Sequence, residues 1–258
     1  MTPSEAGLLV SAALVAGMAN SIAGGGSFIS FPTLLFTGMP PVNANATNTV
    51  AVWPGIVAST SAYRKAMDWP LLKSVMPLII VTLLGSILGA WLLLHTPQIT
   101  FLKMVPWLLF AGTVLFSMGP KLSRWVNHRR DNPRPSRLQI ALITFAQLLL
   151  GLYIGYYGAG VGFLILPLLT MMGIENIHAM NGLRVLLATC GNAVAIVLFI
   201  VARAVIWPQA LLMMTGAIVG GYAGAHYAQK LKPTTVRYLV ISIGSVMTVY
   251  FFWKTWGI

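Results

Sequence analysis

Apolar residues run in ten stretches, at about 6–22, 27–38, 46–63, 74–94 and 99–118, then at 138–157, 161–172, 179–202, 207–229 and 234–253. Strongly polar positions are confined to short gaps and to one longer break at 119–137. A helix needs about 20 apolar residues to cross a bilayer, whereas barrel strands are short and alternate in polarity. Stretches of this length without alternation predict an all-α integral membrane protein, with five elements on each side of the break. The stretch 27–38 is too short to span: at 1.5 Å per residue it covers roughly 18 Å of a core of about 30 Å. Elements one and two of each half therefore form either two spans or a hairpin with short, re-entrant helices. Both arrangements cross an even number of times. Five elements per half then set the halves in opposite orientations, as inverted repeats. The expected organisation is a first transmembrane repeat at 1–118, a basic cytoplasmic linker at 119–137 and a second repeat at 138–258.

The halves also echo each other in residue type. AGGGSFISFP at 23–32 returns as GAGVGFLILP at 158–167, and 135 positions separate Pro32 from Pro167. The same offset relates LLGSILGAW at 83–91 to IVGGYAGAH at 218–226, and Trp69-Pro70 is echoed, with a slip of three residues, by Trp207-Pro208. Duplication together with glycine-interrupted helices is the mark of a secondary transporter.

Composition agrees: 57% of the 258 residues are hydrophobic and 8% charged, against roughly 25% charged in soluble domains. The formal charge of +12 would suit nucleic acid or an anionic surface, and the placement of the charges decides against nucleic acid. Lys121, Arg124, Arg129, Arg130, Arg134 and Arg137 fill the central break, with Asp131 opposing. If that loop is cytoplasmic, alternation also puts Arg64, Lys65, Lys73, Lys230, Lys232 and Arg237 inside. Lys103, Arg203 and Lys254 fall outside, an asymmetry of the kind that sets orientation. Both termini are then periplasmic. The first ten residues hold Glu5 and no Lys or Arg, so no secretory leader is expected. Cys190 is the one cysteine, which excludes an internal disulfide and a thiolate metal site.

Candidate chemistry gathers at the glycine clusters. Gly24, Gly25 and Gly26, and Gly158, Gly160 and Gly162, permit sharp turns. A helix starting just after such a turn aims unpaired N–H groups and its positive dipole end at one spot, an anion site if both hairpins reach the midplane. Tight helix packing through small residues is the other reading. A dinucleotide fingerprint is rejected, because no strand precedes the second cluster and its spacing is wrong. Asn20 and Ser27 flank the first cluster, and Tyr153, Tyr156 and Tyr157 flank the second as interfacial anchors or cavity donors. Asn43, Asn45, Thr47, Asn48 and Thr49 precede the third element, where helix capping accounts for part of the patch. His178, Asn181 and Arg184 hold the matching place in the second half. Arg184, inside an apolar stretch, is either a snorkelling cation or a planar fork for an oxyanion. Glu175 beside His178 could move protons. His95, His128 and His226 share no ligand spacing, so neither metal nor cofactor is expected.

GMANSIAGGGSFISFPTLLFTGMPPVNANATNTVAVWPG at 17–55 resembles the opening signature of the TauE/SafE sulfite exporter family, also called the toluene sulfonate uptake permease family. GYYGAGVGFLILPLLTMMGI at 155–174 is similar to its second-half signature. The resemblance spans essentially the whole chain. It implies transport of sulfite, sulfonates or related sulfur-containing or carboxylate anions across a bacterial inner membrane. Where the family often carries an acid before the first glycine cluster, this chain has Asn20, which leaves the site less negative.

The combined expectation is an alternating-access transporter, and not an enzyme, for a small anionic substrate. The expected binding residues are Asn20, Gly24, Gly25, Gly26, Ser27, Asn45, Asn48, Thr49, Gly158, Gly160, Gly162, Asn181 and Arg184. Proton or other ion coupling and oligomeric state stay open. A passive anion channel is the main alternative. An intramembrane enzyme ranks below it, since no nucleophile–base pair has convincing spacing.

Overall fold

The computed structural model describes residues 1–22, 24–63, 67–128, 136–174, 176–227 and 233–257. These form ten helices and no strand: α1 (Pro3–Ile22), α2 (Ser27–Phe36), α3 (Pro41–Ala62), α4 (Trp69–His95), α5 (Gln98–His128), α6 (Arg137–Tyr156), α7 (Gly162–Met171), α8 (Ile177–Val201), α9 (Trp207–Tyr227) and α10 (Pro233–Trp256). The protein is all-α, as the apolar pattern predicts. Helix starts follow local chemistry. Asp68 caps α4 by accepting from Leu71 N, with Pro70 in the first turn. Ser136 and Gln139 form a reciprocal capping box on α6, and Asn176 accepts from His178 N and Ala179 N at the start of α8.

Two boundaries depart from expectation. α5 continues to His128, through much of the polar break and past Gly119-Pro120, a pair that would ordinarily favour a helix end. Residues 129–135 lie outside the described set, as do Arg64, Lys65, Lys230 and Lys232. The Asn/Thr patch lies within α3, which begins at Pro41, where a missing N–H costs nothing. Thus Asn43, Asn45, Thr47, Asn48 and Thr49 are helical, and capping is not their work.

Among the described residues five helices are long and apolar enough to cross a membrane: Trp69–His95, Gln98–Met118, Arg137–Tyr156, His178–Val201 and Thr235–Trp256. α4 shows how they are built. Leu84, Ile87, Leu88 and Trp91 are exposed on one face, while Thr82, Gly85, Ser86 and Gly89 are buried on the other. An apolar outer face belongs against lipid. α2 and α7 have ten residues each, about 15 Å, and cannot span.

The halves interlock through small residues. α4 packs on α6 and α9 packs on α1, so each half lays its fourth helix on the first helix of the other. A Cβ on Gly220 or Gly224 would meet Leu14 or Met18 backbone, and one on Gly89 would meet that of Leu152. The recurring segments at 83–91 and 218–226 are these seams. Gly216, Gly220 and Gly224 face Val10, Leu14 and Met18 in turn, so α9 runs parallel to α1. Exchanging the halves also maps α5–α7 onto α10–α2, and α1–α3 onto α6–α8. At the centre α3 meets α8, where Trp53 Nε1 donates to the Thr189 carbonyl at 3.1 Å and the Thr60 and Thr189 hydroxyls lie 3.0 Å apart.

Candidate functional site

The chain reverses between α1 and α2 at Gly24, whose φ of +66° is open to glycine. Asn20, near the end of α1, closes the turn: its Oδ1 accepts from Gly25 N at 3.0 Å and Gly26 N at 2.8 Å. Between α6 and α7 the reversal uses Gly158 at φ +72° and Gly160 at +76°. There Gly158 N donates to the Tyr153 carbonyl at 2.8 Å, and the Tyr153 hydroxyl donates to the Ala159 carbonyl at 2.7 Å. α2 and α7 start directly after these turns, and neither has a side-chain cap at its N-terminus. At α2 the Gly25 and Gly26 N–H groups are taken by Asn20 and those of Phe28 and Ile29 by the Gly25 and Gly26 carbonyls, and at α7 Leu164 N is taken by the Val161 carbonyl. What these N-termini chiefly offer the adjacent space is therefore their positive dipole ends.

The two turns converge on Arg184. A Cβ on Gly24 would stand 3.7 Å from Gly162 Cα and 3.7 Å from Arg184 Nη1, and a Cβ on Gly162 would stand 3.6 Å from the same nitrogen. Arg184 is 2% exposed. Its guanidinium is held between the glycine turns instead of reaching a surface.

Around this junction lies a cavity of about 50 Å³. One water needs only about 10–15 Å³, so an occupant of several heavy atoms fits. Asn20, Gly24, Gly25, Ser27, Thr49, Gly158, Gly160, Gly162 and Arg184 line it, together with Tyr157, Asn192 and an apolar wall of Val52, Ile56, Val161, Val185 and Ala188. No lining residue is acidic. Two of the lining residues carry a buried donor, Asn20 Nδ2 and the Tyr157 hydroxyl, with no hydrogen-bond partner among the described residues. Orphaned buried donors are rare and costly; beside an arginine and two helix N-termini they make a surface suited to oxygen-rich anions. Among the described residues no cluster of three His, Cys, Asp or Glu could hold a metal.

Four of the residues expected from sequence stand elsewhere. Gly26 lets α2 approach α1, since a Cβ there would run into the Ala16 carbonyl. Asn45 Nδ2 donates to the Tyr156 carbonyl at 3.1 Å. Its neighbours do similar work across the halves: Asn43 Nδ2 donates to the Ala204 carbonyl at 2.9 Å, and Thr47 Oγ1 accepts from Ile206 N at 3.0 Å. Asn48 is buried, and Asn181 lies nearly one turn before Arg184 on α8; neither lines the cavity. Glu175, which the sequence pairs with His178, is outside the described residues. Sequence reasoning left Tyr157 open between interfacial anchor and cavity donor, and missed Asn192 altogether. Helical periodicity would have found the latter, because Arg184, Ala188 and Asn192 follow at four-residue steps on α8. Thr49, Val52 and Ile56 share a face of α3 in the same way.

Comparison with known proteins covers nearly the whole chain. The family model described as sulfite exporter TauE/SafE matches residues 9–251. A probable membrane transporter protein of Haemophilus influenzae is 30% identical over 245 residues, 93% of this chain and 92% of that protein. The probable membrane transporter protein YfcA of Escherichia coli K12 is 29% identical over 260 residues, covering 100% of this chain and 93% of its own length. The probable membrane transporter protein ORF9 of a Sinorhizobium species is 28% identical over 239 residues, 92% of this chain and 88% of that protein. No solved structure matches the chain.

Proposed function

The chain belongs to the sulfite exporter TauE/SafE family of membrane transporters, and from that premise we propose that it carries small oxyanions, sulfite and sulfonates foremost, through the cavity between its glycine turns. One observation carries the reading. Two short-helix N-termini, one from each half, meet a buried arginine and two orphaned donors around a space lined by no acid. Such a frame stabilises negative charge from several directions.

Transport proceeds by alternating access, with one half rocking against the other around the site. The halves are inverted repeats in a bacterial inner membrane, with both termini periplasmic. The relative helix directions support the inversion alone: strict alternation of ten elements requires α9 parallel to α1 and α6 parallel to α4, as the glycine seams run. The hydrogen bonds of Asn43, Asn45 and Thr47 join the halves near one end of α3 and must yield when that end opens.

The test is thermal unfolding of the detergent-solubilised protein against sulfite, thiosulfate, sulfoacetate, taurine, lactate and chloride. A bound ligand raises stability by mass action, about 2.7 kcal/mol at a hundredfold excess over Kd. Sulfur oxyanions or sulfonates are expected to stabilise the native protein, and Arg184→Gln to weaken that effect about 10- to 100-fold, the worth of one charged hydrogen bond. No stabilisation of a folded protein by any anion would remove the preformed site. In proteoliposomes the flux is expected to saturate; flux that stays linear with concentration would mark a channel.

A further inference from the structure

Resting on the anion-site reading, the arrangement of Tyr157 and Asn192 narrows what the anion must look like. Tyr157 is 3% exposed, and its ring is fixed edge-on against Phe31 at 5.4 Å and Tyr153 at 6.2 Å. Tyr157 lines the cavity and its hydroxyl is buried without a partner among the described residues, so Asn192 is not its acceptor. Asn192 is oriented by its own amide: Nδ2 donates to the Ala188 carbonyl at 2.9 Å, one turn back on α8. That bond leaves Oδ1 as the atom presented to the site. It lies on the side of Gly158, where a Cβ would stand 3.8 Å from it. Asn192 thus brings a carboxamide acceptor to a cavity whose arginine and amide side chains otherwise favour an anion. A bare oxyanion satisfies Arg184, Asn20 and Tyr157 but offers Asn192 Oδ1 only lone pairs.

We propose that Asn192 is a specificity-determining residue, and that the preferred substrate is a small molecule with a single anionic head and a hydroxyl or ammonium group close to it. The head lies against Arg184, Asn20 and Tyr157, and the neighbouring donor points to Asn192 Oδ1. The apolar wall of Val52, Ile56 and Val185 receives the one or two carbons between them. A site built to accept a hydrogen bond discriminates against the analogue lacking the donor, because its own polar atom is then left unmatched.

Matched pairs of ligands test this: 2-hydroxyethanesulfonate against ethanesulfonate, and lactate against propionate. Affinities come from ligand-induced thermal shifts of the full chain, for the native protein and for Asn192→Leu, which keeps the branched skeleton and removes the acceptor. The hydroxylated member of a pair is expected to bind roughly three- to tenfold tighter, as one neutral hydrogen bond supplies, and Asn192→Leu to bring the ratio near one. Equal binding of the two members by the native protein overturns the proposal and leaves the anion site standing. Binding of neither pair overturns the proposal, and the anion site falls with it only if sulfite and thiosulfate also fail to stabilise the protein. A ratio unchanged in Asn192→Leu moves the discrimination to another residue and also defeats the proposal. If Asn192→Leu does not fold, the ratios in the native protein decide, with Asn192→Ala as the second variant.

Discussion

The carboxamide of Asn20 has its two ends assigned to different tasks. Oδ1 holds the first glycine turn through Gly25 N and Gly26 N, while Nδ2, on a residue that lines the cavity, is buried without a partner among the described residues. Asn20→Asp separates the tasks, since a carboxylate still accepts from both backbone groups but donates nothing and carries negative charge. Like charges about 4 Å apart repel by about 4 kcal/mol at an effective dielectric of about 20. The variant is expected to unfold near the native temperature and to bind anions at least a hundredfold more weakly. Undiminished anion binding would place Asn20 outside the site. Asn20→Ala frees both turn N–H groups and is expected to cost about 1–3 kcal/mol of stability.

At the scale of elements, glycine does two separable jobs. Gly24, Gly158 and Gly160 turn the chain, whereas the seam glycines let helices approach to backbone contact. A Cβ on Gly220 would run into the Leu14 carbonyl, and one on Gly89 into that of Leu152. Gly7 sits in α1 with nothing within 4 Å of its Cβ position. The two classes predict opposite signs. Gly220→Ala and Gly89→Ala are expected to lose about 1–3 kcal/mol, as overpacked sites do. Gly7→Ala is expected to gain about 0.5–1 kcal/mol from helix propensity. Thermal unfolding of the three variants checks both signs together; equal shifts would mean that the seams are not close-packed.

For the whole molecule, the charge asymmetry of the sequence makes one prediction, that the basic linker is cytoplasmic and both termini periplasmic. A reporter that is active only in the periplasm is expected to work when fused after Ile258 and to fail when inserted near 131. A fluorescent protein that folds only in the cytoplasm should give the reverse pattern. Activity of the periplasmic reporter at 131 would invert the proposed orientation and, with it, the face to which each end of the cavity opens.

The sequence by itself determined the class of fold. Apolar length and the scarcity of charge leave helices in a bilayer as the solution, and glycine-rich segments at a constant offset reveal related halves. It also pointed to both glycine turns and to Arg184, because glycine clusters and a cation inside an apolar stretch are conspicuous locally. Tertiary structure alone decided which polar groups share a cavity. The Asn43–Thr49 patch looks uniform along the chain, yet Asn45 bonds to the other half while Thr49, one helical turn on, lines the cavity. Tyr157 and Asn192 are ordinary helix-end and helix-interior residues in sequence, and gain a role only where α3, α6, α7 and α8 come together. The division has a physical cause: burial in lipid is a property of each segment's own composition, whereas a binding site depends on which faces of separate helices the packing turns toward one another.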